Sequence, residues 1–220
     1  MSDSITKAVR ESYDRLADEY ARHLFDELEN KPLDRELLGR FAADVIDRGQ
    51  GCDMGCGPGH VARYLCESGV AVFGLDLSPL MIGQARRLNP AISFEEGNML
   101  ALDLQPESLA GISAIYAIVN IPETSLTLAF QEMARVLQPD GLLLLAFHIG
   151  DEALHVDELW GQAISMTFYF FQPSKIRQYL EAAGLDIEDI VERDPYAPGV
   201  EHQTRRAYIF ARKPRSVTQD

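Results

Sequence analysis

Cysteine is scarce in this 220-residue chain: three, at Cys52, Cys56 and Cys66, all near one glycine-rich loop. An odd number clustered this way argues against a disulfide framework. The Cys52–Cys56 spacing has no second Cys/His pair at zinc-ligand spacing beside it, so no metal is expected and the three are read as buried or loop thiols. Positive charge is also short, with 20 Lys+Arg against 34 Asp+Glu and a formal net charge of −14. Affinity for a phosphate backbone comes largely from Lys and Arg, so nucleic acid is not expected as a partner. Only Arg205-Arg206 and Arg212-Lys213-Pro214-Arg215 form dense basic spots. Long apolar runs are absent: the longest, 142–147, falls far below the ~20 residues of a membrane-spanning helix. The first residues are polar and carry no signal-peptide pattern. Together these absences lead to the expectation of a cytoplasmic protein with no membrane span. Repeats, low-complexity segments and clear linkers are absent too, and nothing in the sequence reports the oligomeric state.

What is present is globular: 46% hydrophobic and 25% charged residues, enough for one domain over 1–220. Residues 4 to about 24 read as an amphipathic helix with Val9, Tyr13, Leu16, Ala17, Tyr20 and Leu24 on one face. Tyr13 and Tyr20 fit either core packing or a lid whose hydroxyls reach a ligand. After Lys31-Pro32 a second helix runs to about 48, with Leu37, Leu38, Phe41 and Val45 inward. From 49 to 149 strands and helices alternate, with strands expected at 51–54, 70–75, 92–95, about 112–119 and 142–147. Ser78-Pro79 opens one of the helices, with Ser at the N-cap and Pro at N1. Another is expected over 124–137, followed by a turn at Pro139-Asp140-Gly141. The stretch 150–172 shows no regular period and reads as a variable cover. A helix over 173–184 and two strands, about 186–192 and 204–212, complete the chain, the strands as an antiparallel hairpin. Alternation of this kind implies right-handed crossovers and a parallel sheet with helices on both faces.

The most informative stretch is Asp53-Met54-Gly55-Cys56-Gly57-Pro58-Gly59-His60. Backbone this bare admits a ligand against the main chain, and the helix that follows offers free N–H groups. A dinucleotide loop reads G-x-G-x-x-G. Here the third glycine comes one residue early, His60 stands in its slot, and Asp53 precedes the loop. That acid is awkward beside a pyrophosphate and suits a ligand carrying an ammonium group. Asp53, Asp76, Asn98 and Tyr116 fall at or near the ends of the first four expected strands, the edge where ligands bind in such sheets. Asp76 is placed to accept both hydroxyls of a ribose.

These residues resemble the motifs of class I S-adenosylmethionine-dependent methyltransferases of the small-molecule type. Asp53 to Gly59 is similar to the family's first motif, and Gly74-Leu75-Asp76-Leu77-Ser78 to the second. Gly97-Asn98-Met99 resembles the third, and the region from Ile115 to Pro122 the fourth. Arg135-Val136-Leu137-Gln138-Pro139-Asp140-Gly141-Leu142 is similar to the segment before the fifth strand, and Tyr13-x-x-x-Ala17-x-x-Tyr20 to an N-terminal lid helix. Asn98 departs from the usual Asp, though its carbonyl still accepts from an adenine amino group. Ser113 also replaces a common Asp. The resemblance implies an α/β fold: a Rossmann-like three-layer αβα sandwich with a seven-stranded, mostly parallel sheet, a C-terminal antiparallel hairpin and N-terminal lid helices. It implies S-adenosylmethionine as cofactor, held by Asp53, Gly55, Cys56, Gly57, Gly59, Asp76, Leu77, Met81, Asn98, Met99, Tyr116 and Tyr20.

Methyl transfer needs an in-line nucleophile, and a base only where the acceptor must lose a proton. Glu123, His148 and His155 are the candidates for that base, each with a structural reading beside the catalytic one. Tyr13, Trp160, Phe168 and Tyr169, with Phe171, are expected to line an apolar or aromatic acceptor pocket. The sequence Asn120-Ile121-Pro122-Glu123 only partly resembles the Asn-Pro-Pro-Tyr signature of amino-methylating nucleic-acid enzymes. A small-molecule methyltransferase is the leading reading. A non-catalytic cofactor-binding subunit and a nicotinamide-dependent oxidoreductase are the alternatives.

Overall fold

The computed structural model describes residues 3–215. Its elements are α1 (Asp3–Leu24), a short 3-10 turn (Glu27–Asn30), α2 (Pro32–Val45), β1 (Gly51–Met54), α3 (His60–Glu67), β2 (Val72–Asp76), α4 (Pro79–Leu88) and β3 (Ser93–Glu96). There follow β4 (Leu109–Ile115), α5 (Glu123–Val136), β5 (Leu137–His148), β6 (Ala153–Leu159), β7 (Gln162–Tyr169), α6 (Pro173–Ala182), β8 (Asp186–Arg193) and β9 (Arg206–Arg212). Seven strands form one sheet in the order β3-β2-β1-β4-β5-β9-β8. β9 is antiparallel to both of its neighbours, and the other ladders are parallel.

Side-chain parity builds the layers. Along β5, Leu143, Leu145 and Phe147 join a core with Leu126, Phe130 and Met133 of α5 and Ile176 and Leu180 of α6. Leu142, Leu144 and Ala146 point the other way, to Leu37, Leu38, Phe41 and Val45 of α2 and Val61 and Leu65 of α3. The strand reads as a continuous apolar run because both of its faces are covered. α2 is therefore one of the sheet-covering helices, and only α1 lies over the cavity-bearing edge. Val9, Leu16 and Ala17 of α1 pack with Met81 and with Ile164 and Met166 of β7.

Three expectations are corrected. The 150–172 stretch is mostly a regular β6–β7 hairpin, turning through Trp160 (φ 50°) and Gly161 (φ 76°). Its period is hard to read because most of β6 is exposed, and only Ile164 and Met166 of β7 are fully buried. β4 stops at Ile115, where Tyr116 turns left-handed at φ 54°. The apolar residues beyond it, Ile118 and Val119, are buried as loop. Finally, β5 starts directly after α5, so Pro139-Asp140-Gly141 sits inside the strand. Asp140 takes φ 68° there, beside a register shift between Leu109 and Gly111. Among the described residues no helix is long and apolar enough to cross a membrane.

Candidate active site

The site is built where β1, β2, β3 and β4 end. Gly55 has φ +71°, and a Cβ there would stand 2.7 Å from the Ala117 Cβ, so the chain closes against the β4 loop only with glycine at this position. The Gly55 and Cys56 N–H groups donate to Leu75 O at 2.7 and 3.1 Å, tying the loop to β2. Two further N–H groups point at the carboxylate that ends β2. Gly57 N donates to Asp76 Oδ2 and Ser78 N to Asp76 Oδ1, each at 2.9 Å. Asp76 is thereby aimed and fixed. Burial raises its pKa, the Asp14 charge adds to the rise, and the two N–H bonds oppose it.

A cavity of about 730 Å³, its open mouth included, lies over this loop. Asp76, Leu77, Met81, Asn98, Met99 and Leu100 line one end. Gly55, Gly57, Tyr20, Tyr116, Ala117 and Asn120 line the other, and Val9 and Tyr13 of α1 cover it. Asn98 Oδ1 accepts from Leu100 N at 3.0 Å, which fixes its orientation. Tyr116 stands with the Lys31 ammonium 5.6 Å and the Arg206 guanidinium 5.7 Å from its ring centroid.

Most of the expected cofactor residues meet here, and three do not. Asp53, Cys56 and Gly59 lie outside the cavity lining. Asp53 is 2% exposed and accepts from Ala62 N at 2.9 Å. The N-cap of α3 is Gly59, which has no side chain to offer, so Asp53 supplies the missing acceptor from β1. Strand parity explains the miss: Cys52 and Met54 face the α5 core, which sends Asp53 to the α3 side, beneath the helix end. Burial pushes its carboxyl up to about 7.

The expected acceptor residues divide. Tyr13 lines the cavity and donates to Asn120 Oδ1 at 2.6 Å. Trp160 instead braces Tyr20 edge-on at 5.8 Å and stacks on His23 at 4.7 Å. Phe168 packs in the α1–β7 cluster, and Phe171 is core, edge-on to Phe147. Tyr169 lines a second cavity between α1 and the hairpin.

Asn120 is the residue that sequence reasoning passed over. It lines both cavities, holds Tyr13, and donates from Nδ2 to Thr167 O at 2.9 Å. Its signal is its place just after the fourth strand, inside the 115–122 region that resembles the fourth motif.

The three candidate bases are placed elsewhere or held inactive. Glu123 is half-exposed and accepts from Lys175 Nζ at 2.6 Å and Tyr179 OH at 2.8 Å, which lowers its pKa. His155 sits on the exposed hairpin between Thr167 Oγ1 and Asp157 Oδ1. His148 is fixed by a chain: its Nδ1 lies 2.7 Å from the Thr204 hydroxyl, which also accepts from Arg206. Burial and the Arg206 charge bring its pKa down to about 3.

Known proteins share this domain and fold. Residues 52–141 match the family model described as a methyltransferase domain. The chain is 30% identical over 155 residues to malonyl-[acyl-carrier protein] O-methyltransferase of Enterobacter lignolyticus, covering 70% of this chain and 59% of that protein. It is 36% identical over 99 residues to trans-aconitate 2-methyltransferase of Methylobacterium nodulans, covering 43% of this chain and 33% of that one. The chain thus spans about three fifths of the first relative and a third of the second. In fold it is similar to DhpI in its SAH complex, with TM-score 0.74, 19% identity, and coverage of 97% of this chain and 99% of that one. A second likeness is a SAM-dependent methyltransferase of Methanosarcina mazei, with TM-score 0.68, 16% identity, and coverage of 76% and 93%. Motif order, matched domain and sheet topology coincide: residues 52–141 carry a methyltransferase domain, and the fold is the one shared by S-adenosylmethionine-dependent methyltransferases.

Proposed function

We propose that the chain transfers the methyl group of S-adenosylmethionine to a small acceptor whose nucleophilic atom arrives already ionised, and that this atom belongs to a carboxylate. The observation that carries the reading is the makeup of the cavity wall. Among the described residues lining it, the titratable side chains are Asp76, Tyr13, Tyr20 and Tyr116. Asp76 already accepts from two N–H groups. The three phenols are all pushed upward, mainly by burial, and so stay protonated. Such a wall suits a nucleophile with no proton to lose. A carboxylate meets that condition, and the acceptors named for the two relatives, malonyl-[acyl-carrier protein] and trans-aconitate, both carry one.

The lining fits the cofactor. The Asp76 oxygens, fixed from the protein side, keep lone pairs for two ribose hydroxyls. Leu77, Met81 and Met99 form an apolar slot for a flat base, with Asn98 at its edge. The bare backbone of Gly55 and Gly57 and the rings of Tyr20 and Tyr116 enclose the opposite end. When bound, S-adenosylmethionine supplies a positively charged sulfonium whose methyl group is the one transferred. The chain's part is to hold the two reactants in line and keep water out, which accounts for much of the acceleration in such reactions. Tyr13 and Tyr20 cover the site from α1, meeting edge-on at 5.9 Å between ring centroids.

The test is transfer of tritiated methyl from S-adenosylmethionine to a panel of mono- and dicarboxylates. The expected label is base-labile and released as methanol, as from a methyl ester. Label appearing only in base-stable products, or none with any acid, overturns the carboxylate reading.

A further inference from the structure

The second cavity, about 550 Å³ with its mouth, lies between α1 and the β6–β7 hairpin. Ile5, Ala8 and Val9 form one wall, and Met166 and Tyr169 the other. Among the described residues the lining carries no Asp, Glu, Lys or Arg, and His155 is the one titratable group besides the Tyr169 phenol. Val9 and Asn120 line this cavity and the cofactor cavity alike. At Asn120, where the two cavities meet, the Tyr13 hydroxyl donates to the amide carbonyl at 2.6 Å. One side-chain hydrogen bond, worth roughly 1 kcal/mol net, therefore stands at the junction of the two chambers, and the second, whose apolar walls also carry Ser4, Ser165 and Thr167, presents no charged side chain among the described residues.

We propose that the second cavity holds the apolar tail of the methyl acceptor, so that the acceptor is an elongated amphiphile, a carboxylate head with a medium-length aliphatic arm. The head enters the cofactor cavity past Asn120, and the arm lies along Val9 and Met166. Tyr13 yields its bond to Asn120 as the arm passes, while the Asn120–Thr167 bond keeps the amide in place from the hairpin side. This rests on the methyl-transfer reading of the first cavity and adds to it the length and polarity of what is methylated.

Octanoate is the probe and acetate the tailless control. Both are titrated by calorimetry into wild-type chain saturated with S-adenosylhomocysteine, and into Ala8→Phe and Met166→Trp, each of which fills the second cavity. Ala8 lies outside the first cavity lining. Octanoate is expected to bind at least about tenfold more tightly than acetate through its added methylenes. Each variant is expected to lose that advantage with its affinity for S-adenosylhomocysteine kept. Should neither variant fold, wild-type chain labelled with 13C at its methionine methyl groups gives the second measurement. The Met166 signal, assigned with Met166→Leu, is expected to shift with octanoate and stay still with acetate. Equal affinity for the two acids, unchanged octanoate binding in a folded variant, or an unmoved Met166 signal overturns the tail site while the cofactor reading stands. Failure of the wild type to bind S-adenosylhomocysteine at all is seen before octanoate is added, and it overturns both.

Discussion

Asp53 shows how a single carboxyl changes role once its direction is known. Its place before the glycine loop is visible in the sequence, and so is the presence of an acid there. The face it points to depends on strand parity, which a four-residue strand barely displays. Its function is to close the N-terminus of α3, and its titration follows from burial. The folded state holds this proton more tightly than the unfolded chain, so this group's contribution to stability falls as pH rises from about 4, the free Asp value, to about 7, and that contribution is gone above it. Asn keeps an acceptor for the Ala62 N–H and has no proton to lose. Asp53→Asn is therefore expected to be increasingly favoured over wild type between pH 4 and pH 8, by roughly 2–4 kcal/mol at the upper end. Urea unfolding of both proteins across that range checks it, and a constant difference would contradict it. His148 acts in the opposite direction: held neutral down to about 3, it costs stability as pH falls below its ordinary range, and comparing the two proteins cancels this contribution.

Among the elements, α1 joins the cofactor edge to the hairpin. Asp14 Oδ1 accepts from Ser78 Oγ at 2.6 Å and from Leu80 N at 3.3 Å, adding to the cap of α4. Ser78 Oγ itself accepts from Met81 N at 3.1 Å. On the other side Ser165 N donates to Ser12 Oγ at 3.0 Å. Removing the Asp14 bonds is expected to loosen α1 locally by about 1–2 kcal/mol. Asp14→Ala should speed amide exchange along α1 by roughly 5–30-fold, by the same free energy, with β1 and β4 unchanged. A uniform rise across the sheet would mean that α1 is part of the global unfolding unit. The amphipathic period of this helix, with Tyr13 and Tyr20 on its inner face, was readable because half of it meets water. Its counterpart β7 was not, since its inward residues Ile164, Met166 and Phe168 alternate within a stretch that also holds outward apolar side chains. The boundary of β4 was hidden differently, because the loop after it is as buried as the strand.

At the scale of the molecule, the sheet order follows from alternation, but the buried charge at its C-terminal edge does not. Asp34 of α2, Lys31 before it and Arg206 of β9 are buried, and Arg193 at the end of β8 and Glu201 in the following loop turn their side chains inward to meet them. Glu201 meets Arg193 at 2.5 Å, Arg206 at 3.5 Å and Lys31 at 3.8 Å, and Tyr208 OH donates to Asp34 Oδ1 at 2.8 Å. These residues are spread over more than 170 positions and share no local pattern, so only the fold reveals them. They anchor the 3-10 turn, α2 and the last hairpin behind Tyr116. Glu201→Gln leaves buried cations uncompensated, and a loss of about 3–5 kcal/mol is expected by urea unfolding; a change below 1 kcal/mol would contradict the account of this network. All of this scaffolding converges on one carboxylate, Asp76, aimed by two backbone N–H groups into the cavity. Calorimetric titration of S-adenosylmethionine into wild type and Asp76→Ala tests the central claim most directly. One saturable site per chain is predicted, weakened by at least about thirtyfold in the variant through two lost charged hydrogen bonds. An absence of binding heat in the wild type, or equal affinity in the two proteins, would contradict it.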